Sequence, residues 1–411
     1  MAELKQILVL TLVFLGLSFG QEVNYAASGN DGECIQSFYT FAFLGPDYWS
    51  ERHPATYSNW QMQSSIPSGP DNVPVEYPVF ALETSRIIDE QQEIWVSGFG
   101  DGGQIWLVYR PASDEWDSIS RTIDNTNLIS HHLFVGEDST LYSSLRWNTQ
   151  AEFSDLETVP ILAKFDEDTR KFVIEEGVME IPFVREITYY NAQPVLPWPK
   201  ILLNDQNDFW IFVNYDGLYS YSPDTNTVEK HADISEYPID NAALAPNGNI
   251  FFSRPTSEVS STRTVFALSE GMLFQFDLEL NVISDLTIPD SDWPGFNGML
   301  VDRDGVLRLG ATSYRAPNGD WNLMHPDIEV YFDNAGDSTW ATPNLIFESS
   351  DGRLWYNRFL DGSGGGTAWY DAETGSGCLF NGQASNVIED FNQQLWMVAN
   401  GNLYRYSLNS Q

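Results

Sequence analysis

Positively charged side chains are scarce in this sequence. It has 20 Lys and Arg against 58 Asp and Glu, which gives a formal net charge of −38. A surface of that sign repels nucleic-acid phosphates and the anionic head groups of lipids, so both are excluded as partners. Histidine is also rare, with five residues and no His-x-x-x-His pair, and the sequence therefore predicts no zinc site.

Long hydrophobic runs are absent beyond residue 20. The apolar run of residues 7–17 follows Lys5 and precedes the small residues Ser18 and Gly20, which predicts a signal peptide over residues 1–20. An uncleaved membrane anchor is the alternative, but the run is shorter than the ~20 residues that span a bilayer. We expect a secreted or periplasmic, monomeric protein in which residues 21–411 form a single domain and contact no membrane.

The sequence has only two cysteines, Cys34 and Cys378. In an exported protein an even pair is typical of a disulfide bond, and two free thiols are the alternative. A bond between these residues would close most of the chain into a loop, for which the chain-entropy relation gives a stabilisation of roughly 5–6 kcal/mol.

One sequence pattern is present seven times. Each copy has a short apolar stretch, an acidic or Gly/Asn turn, and an apolar residue followed by an aromatic one, as in KILLNDQNDFW at residues 200–210. We call the last residue of each copy the first aromatic position. The seven positions are Trp95, Tyr142, Trp210, Phe251, Arg308, Trp355 and Trp396, of which Arg308 alone is not aromatic.

A second aromatic residue follows each copy and opens another hairpin. These second aromatic positions are Tyr109, Phe165, Tyr221, Phe276, Phe332, Tyr370 and Tyr406. The β-branched and aromatic residues around them predict strands, and no amphipathic helix follows the signal peptide. Each unit thus predicts a four-stranded antiparallel meander, and seven units stacked radially predict an all-β, seven-bladed β-propeller. A β-sandwich is the alternative, but it does not explain seven copies of one pattern.

The last unit lacks a fourth strand, because the chain ends soon after NLYRYSL. We expect residues 33–43 to supply this strand from the N-terminal end, which would close the ring and place Cys34 beside Cys378 in the neighbouring blade. Residues 45–76 contain five prolines and are expected to form an irregular segment.

Loop lengths predict where a ligand binds. The loops between second and third strands vary in length, and in a propeller they share one face, the top, with the connections between blades. We expect two sets of residues there, at the starts of the inner strands and in the loops: Arg86, His132, Lys200, Asn241, Asn297, Asn344, Asn386, Arg146, Arg254, Arg315 and Arg358.

Guanidinium and amide groups in this arrangement favour a small anionic or carbohydrate-like ligand, because arginine binds carboxylates in a two-pronged geometry. Trp147 and Trp321 in the same loops are candidates for stacking on a sugar. The alternative is that the arginines neutralise neighbouring acidic residues, the asparagines cap turns, and the tryptophans pack their own loops.

Several motifs do not lead to a function. Residues 98–103 match G-x-G-x-x-G, but a strand and not a helix follows, which excludes a dinucleotide site. His131 and His132 are adjacent on a predicted strand, where neighbouring side chains point to opposite faces, so we expect at most one of them to face the axis. Acidic turns such as residues 302–305 offer oxygen ligands for Ca²⁺ or Mg²⁺ but too few each, so no cofactor is predicted.

The repeats at residues 204–222, 347–355 and 388–407 resemble the two-component-regulator propeller repeat, and they are similar also to those of the virginiamycin B lyase group. The first resemblance implies a periplasmic or extracellular sensing domain. The second implies a lyase that uses a His/Glu arrangement and Mg²⁺, for which His132 is the candidate histidine. Two function classes follow: a secreted propeller that binds a small ligand or a protein partner, and a lyase or hydrolase acting at the same central site.

Overall fold

The chain is built almost entirely from short antiparallel strands. A computed structural model describes residues 33–35, 61–67, 81–100, 103–124, 126, 128–147, 160–181, 188–190, 193–195, 199–213, 216–234, 239, 241–253, 273–286, 298–310, 313–323, 344–358, 366–371, 376–381, 384–399 and 401–407. Within these residues the one helical segment is a 3₁₀ turn at Glu176–Glu180. The predicted signal peptide lies outside them.

Seven sheets follow one another along the chain, and we number them in that order. Sheet 1 consists of Ala81–Ile88, Gln91–Gly100, Gly103–Arg110 and Glu115–Ser120. Sheet 2 consists of Leu128–Val135, Leu141–Trp147, Leu162–Asp166 and Lys171–Ile174. Sheet 3 consists of Lys200–Leu203, Phe209–Val213, Gly217–Ser222 and Thr227–Asp233. A separate hairpin between sheets 2 and 3 pairs Thr188–Tyr190 with Gln193–Val195.

The remaining sheets repeat the same order of strands. Sheet 4 consists of Asn241–Leu244, Ile250–Ser253, Leu273–Asp277 and Val282–Asp285. Sheet 5 consists of Met299–Val301, Leu307–Leu309, Ser313–Arg315 and Trp321–Leu323. Sheet 6 consists of Asn344–Glu348, Arg353–Arg358, Gly366–Asp371, Ser376–Asn381 and the N-terminal strand Glu33–Ile35. Sheet 7 consists of Ala384–Glu389, Gln394–Ala399, Asn402–Ser407 and the N-terminal strand Gln61–Ser65.

The sheets are arranged in a closed circle. The first strand of each sheet contacts the first strand of the next at most junctions, and Ala384–Glu389 of sheet 7 contacts Ala81–Ile88 of sheet 1. Sheets 2 and 3 pack through aromatic side chains, with the rings of Tyr142 and Phe209 5.0 Å apart. First strands therefore lie innermost, which is the arrangement of a β-propeller. The prediction of an all-β propeller is confirmed.

Large aromatic side chains fill the space between neighbouring sheets, as the repeat predicts. All seven first aromatic positions lie in the second strand of their sheet. Trp95, for example, is fully buried and meets Phe165 of sheet 2 edge to face at 5.3 Å between ring centroids. Such side chains bury a large apolar area where two sheets face each other, and this burial holds the circle together.

The turns between first and second strands explain why an arginine is tolerated at one first aromatic position. In sheet 7 one carboxylate oxygen of Asp390 accepts two backbone N–H groups of the turn, and the other accepts the indole N–H of Trp396 at 2.7 Å. In sheet 5 Asp302 makes the same two turn contacts, and its second oxygen accepts Nε of Arg308 at 2.8 Å. Arg308 thus replaces the tryptophan as the donor to the turn carboxylate.

The ring closes differently from the sequence-based expectation. Gln61–Ser65, and not a strand within residues 33–43, pairs with Asn402–Ser407 as the fourth strand of sheet 7. Glu33–Ile35 instead adds a fifth strand to sheet 6. Part of the segment 45–76 that we expected to be irregular is therefore a strand. Its few apolar residues hid it, because as an outer strand it has the exposed or half-buried pattern of a polar segment.

The two cysteines lie opposite each other in the strand pairing. Cys34 and Cys378 are Cα partners in the antiparallel pair of Glu33–Ile35 with Ser376–Asn381. The disulfide bond itself stays a prediction. The backbone register places its two residues next to each other, as such a bond requires.

Candidate functional site

Propeller topology defines two ends of the circle. First strands run from the end that carries the connections between sheets, which we call the upper end, toward the turns that join first to second strands, at the lower end. Arg86 is the sixth residue of Ala81–Ile88 and thus lies toward the lower end, not at the strand start where we expected it. Its guanidinium is fully buried, and it donates to the carboxylates of Glu93 and Glu167.

The first strand of sheet 1 is irregular near its upper end, and that of sheet 2 is irregular at its middle. The pairing of Ala81–Ile88 shifts between Leu82 and Thr84, so Glu83 is an extra residue. In sheet 2 the pairing shifts between Ser130 and Leu133, so His131 and His132 together face Ser144. Such β-bulges change the direction of side chains and are frequent beside functional sites. Similar shifts are present in the first strands of sheets 6 and 7.

The bulge in sheet 2 corrects the expectation that His131 and His132 point to opposite faces. Their ring centroids are only 4.0 Å apart, at an interplanar angle of 67°. The bulge frees two backbone N–H groups, and the hydroxyls of Ser143 and Ser144 accept them at 3.1 Å each. Serine side chains thus replace the missing strand hydrogen bonds and hold both imidazoles on one side.

Arg121, which directly follows the fourth strand of sheet 1, hydrogen-bonds to the other side of this bulge. Its Nε donates to the carbonyl of Ser130 at 2.8 Å, and its Nη2 donates to the carbonyl of His131 at 3.3 Å. The guanidinium lies over the ring of Trp106, with Cζ 4.2 Å from the ring centroid. Burial lowers the pKa of Arg121 to about 10, and the nearby Glu83 opposes that shift.

A second arginine fixes the state of the buried histidine. Nη1 of Arg146 lies 2.9 Å from Nε2 of His131. Because a guanidinium only donates, Nε2 must accept, and the proton of the neutral imidazole is on Nδ1. Burial, followed by the charges of His132, Arg146 and Arg121, lowers the pKa of His131 to about 2. His131 is therefore neutral at physiological pH.

Glu83 and His132 complete the group. Their side chains approach to 3.7 Å between Oε2 and Nδ1, and the imidazole of His132 is 62% exposed whereas Glu83 is 15% exposed. Glu83 is the third and His132 the fifth residue of the eight-residue first strands of adjacent sheets. We call Glu83, Arg121, His131, His132 and Arg146 the upper cluster.

Glu83 is the one carboxylate of the upper cluster, and it lies beside His132 and not within ion-pair distance of either arginine among the described contacts. No carboxylate of the described residues lies within 4.0 Å of the guanidinium of Arg121 or Arg146. This contrasts with Arg86 and with Arg110, whose guanidinium lies 2.9 Å from Glu93. In a chain with 58 acidic and 20 basic residues, these two partly or fully buried arginines are unusual in having no acidic partner among the described residues, and guanidinium groups of this kind can bind an anion.

The other predicted site residues lie in several places. Lys200 and Asn241 begin the first strands of sheets 3 and 4 and are half-buried. Asn344, Asn386 and Arg358 lie in strands of sheets 6 and 7, where the structure describes their backbone alone. Arg254 and Asn297 lie outside the described residues.

Arg315 and Trp321 differ from their expected place in an upper loop. Arg315 ends the third strand of sheet 5, and Trp321 begins the fourth. A turn over residues 316–320 joins them at the lower end, with Gly319 at φ +95°. The expected third strand around Phe332 was therefore placed too late in the chain. The Pro-Asn-Gly sequence at residues 317–319 is the signal that indicates this hairpin.

Sequence reasoning missed Glu83, Arg121 and the role of His131. Glu83 and Arg121 sit among many acidic residues and ordinary strand ends, so no pattern singles them out. The adjacent pair His131 and His132 is the feature of the sequence that could indicate the site. In a regular strand, however, neighbouring side chains point to opposite faces, so the two histidines are not expected to act together.

Other kinds of site are not evident in the described part of the chain. It has no group of three or more His, Cys, Asp or Glu side chains placed to hold a metal ion. None of its helices has the length and hydropathy required to cross a bilayer.

The comparisons with known proteins give similar solved structures but no matching family. No protein-family model and no curated protein matches the chain. Among solved structures, YCF48 bound to D1 peptide has a TM-score of 0.45 at 11% identity, over 86% of this chain and 98% of that one. The extracellular domain of BT3049 from B. thetaiotaomicron, described as a hybrid two-component system, has a TM-score of 0.41 at 13% identity, over 92% of this chain and 44% of that one.

A gluconolactonase from Xanthomonas campestris, XC5397, is also similar, with a TM-score of 0.35 at 13% identity over 80% of this chain and 85% of that one.

Proposed function

We propose that the protein is a secreted or periplasmic binding propeller whose upper cluster holds a small anionic ligand. The observation that carries the proposal is the pair Arg121 and Arg146, which have no carboxylate within 4.0 Å among the described residues. Both guanidinium groups keep donors that no described residue uses, and guanidinium binds carboxylate or sulfate through two parallel hydrogen bonds. The predicted signal peptide supports the location outside the cytoplasm.

Pre-organisation also supports this proposal. Arg121 is held by two carbonyls and an indole ring, and Arg146 is held by His131. Side chains that are already ordered lose little entropy when a ligand binds. A carboxylate on the surface of a protein partner has the same chemistry as that of a small molecule. The ligand can therefore be either a small anion or a protein partner.

The test is thermal unfolding of the full chain with sodium sulfate, glucuronate or acetate, at constant ionic strength. A ligand that binds only the folded state raises the melting temperature. We expect at least one of these anions to raise it, and Arg146→Gln to abolish that rise. Lys171→Gln, which removes an exposed cation paired with Asp124, is the matched control and should keep the rise. Equal rises in Arg146→Gln and the unmodified protein contradict the proposal.

The second candidate function is a lyase or hydrolase at the same place. The distance of 3.7 Å between Glu83 Oε2 and His132 Nδ1 favours it, because a carboxylate beside one imidazole nitrogen leaves the other free to take a proton. An arginine of the cluster would stabilise the developing negative charge. If the protein is such an enzyme, the unmodified protein forms product from a uronate-containing oligosaccharide, whereas His132→Ala forms none and binds the oligosaccharide with unchanged affinity. If it is a binding protein, neither the unmodified protein nor His132→Ala forms product.

A further inference from the structure

The upper cluster has two chemically different ends, and this difference bears on the class of ligand that the proposed function leaves open. At one end Arg146 donates to Nε2 of His131 at 2.9 Å. The imidazole of His131 then lies 4.0 Å from that of His132, measured between centroids. At the other end Nδ1 of His132 lies 3.7 Å from the carboxylate of Glu83. Cationic and anionic ends are thus joined by two imidazole rings.

Among the residues that the structure describes, none donates a hydrogen bond to the carboxylate of Glu83. The 3.7 Å between its carboxylate and His132 is longer than a hydrogen bond, and no other described residue donates to it. Its side chain is nevertheless only 15% exposed. Its oxygens are not among the fully buried atoms without a partner, so they reach the surface, where a bound molecule can replace water as the donor.

We propose that the ligand is a sugar acid, a polyhydroxylated molecule in which one carboxylate is accompanied by hydroxyl groups. Its carboxylate pairs with Arg146 and Arg121, and one of its hydroxyl groups donates to Glu83. Nδ1–H of His131, which no described residue accepts, donates to a further oxygen. The imidazole faces between the two ends pack against the ring or carbon chain.

Two simpler ligand classes fit less well. A neutral sugar supplies hydroxyl groups for Glu83 but leaves both guanidinium groups without an anion. An aliphatic carboxylate neutralises the arginines but covers Glu83 with carbon, and a buried charged acceptor without a donor is costly. Sites that are built to hydrogen-bond a hydroxyl group discriminate strongly against analogues that lack it.

The experiment is calorimetric titration of the full chain with three matched compounds: glucuronate, glucose and cyclohexanecarboxylate. Glucuronate differs from glucose by its carboxylate and from cyclohexanecarboxylate by its hydroxyl groups and ring oxygen. We expect glucuronate to bind at least tenfold more tightly than either of the others. In Glu83→Ala the affinity for glucuronate should fall about tenfold, because its hydroxyl loses an acceptor, whereas cyclohexanecarboxylate should bind equally or more tightly, because a negative charge has been removed.

Glu115→Ala, which removes an exposed carboxylate from the same sheet, controls for overall charge and should change neither affinity. Glu83→Gln provides a second variant if Glu83→Ala does not fold, and its loss of affinity for glucuronate should be smaller. If cyclohexanecarboxylate binds as tightly as glucuronate, the sugar-acid inference is overturned while the anion site stands. If no anion binds the unmodified chain, both are overturned.

Discussion

Arginine side chains in this protein have two opposite environments. Arg86 is completely buried, and carboxylates of Glu93 and Glu167 neutralise it at the lower end of sheets 1 and 2. Arg121 is also buried, but carbonyl groups and an indole ring surround it. The first arrangement stabilises the folded state only as long as both partners are present, because an unpaired buried charge costs several kcal/mol. The second leaves a guanidinium that no carboxylate of the described residues neutralises within 4.0 Å.

The environment of His131 predicts a specific dependence of stability on pH. The pKa of its imidazole is lowered to about 2 in the folded protein, against about 6.5 for a histidine in an unfolded chain. Below about pH 6.5 the unfolded chain therefore binds one proton more than the folded protein, and the free energy of unfolding falls as the pH falls. The contribution of His131 is about 1.4 kcal/mol per pH unit between about pH 6 and pH 4.

Urea unfolding at several pH values measures this effect. In His131→Gln the decrease of the unfolding free energy toward acidic pH should be shallower by that amount, since glutamine does not titrate. The unmodified protein is the reference for this comparison. Identical slopes in the two proteins would mean that His131 takes up a proton in the folded state as readily as in the unfolded one.

Residue identity alone does not reveal which environment an arginine has. The partner Glu167 is 81 positions away from Arg86 in the chain and comes from the next sheet. The repeat predicts that both residues lie in or beside strands, but it does not give the angle between sheets that brings them together. For the same reason Glu83 and His132 were recognisable as a pair only in the folded structure.

Strands and turns were more predictable than side-chain contacts. The seven first aromatic positions all lie in second strands, because aromatic residues beside Gly/Asp/Asn turns reflect local backbone preferences. The bulges in sheets 1, 2, 6 and 7 were not predictable from the alternation of residues, since one extra residue shifts the register without changing composition. The upper cluster depends on two of these bulges, so the sequence alone does not predict it.

At the scale of elements, the pairing of Glu33–Ile35 with Ser376–Asn381 predicts a disulfide between Cys34 and Cys378. Denatured, unreduced protein labelled with iodoacetamide should show no modified cysteine by mass, and reduced protein should show two. Cys34→Ser should lower the free energy of unfolding by about 2–5 kcal/mol. The double variant with Cys378→Ser should be no less stable than the single one. Two labelled thiols without reduction contradict the bond.

The whole molecule depends on how the circle is closed. Sheet 7 receives its outer strand from Gln61–Ser65, and the next residue, Ile66, continues this connection through a backbone hydrogen bond to Gly401 at 2.9 Å. The side chain of Ile66 is 6% exposed and belongs to the apolar cluster that includes Val96 of sheet 1 and Trp396 of sheet 7. One residue near the N-terminal end thus packs at the junction between the first and last sheets.

This placement predicts unequal effects of two nearby truncations. Ile66→Ala removes buried methyl groups at the junction and should lower the free energy of unfolding by about 2–5 kcal/mol. Met62→Ala is the matched control, because Met62 lies in the same closing segment but is 54% exposed, and it should change stability by less than about 0.5 kcal/mol. Urea unfolding of both variants compares them directly. The circle of sheets is closed only while the junction between sheets 1 and 7 holds. A large decrease in the free energy of unfolding in Ile66→Ala, with none in Met62→Ala, would therefore show that packing across this junction, and not strand pairing alone, stabilises closure. Equal effects of the two substitutions would assign closure to the backbone hydrogen bonds of the outer strand instead.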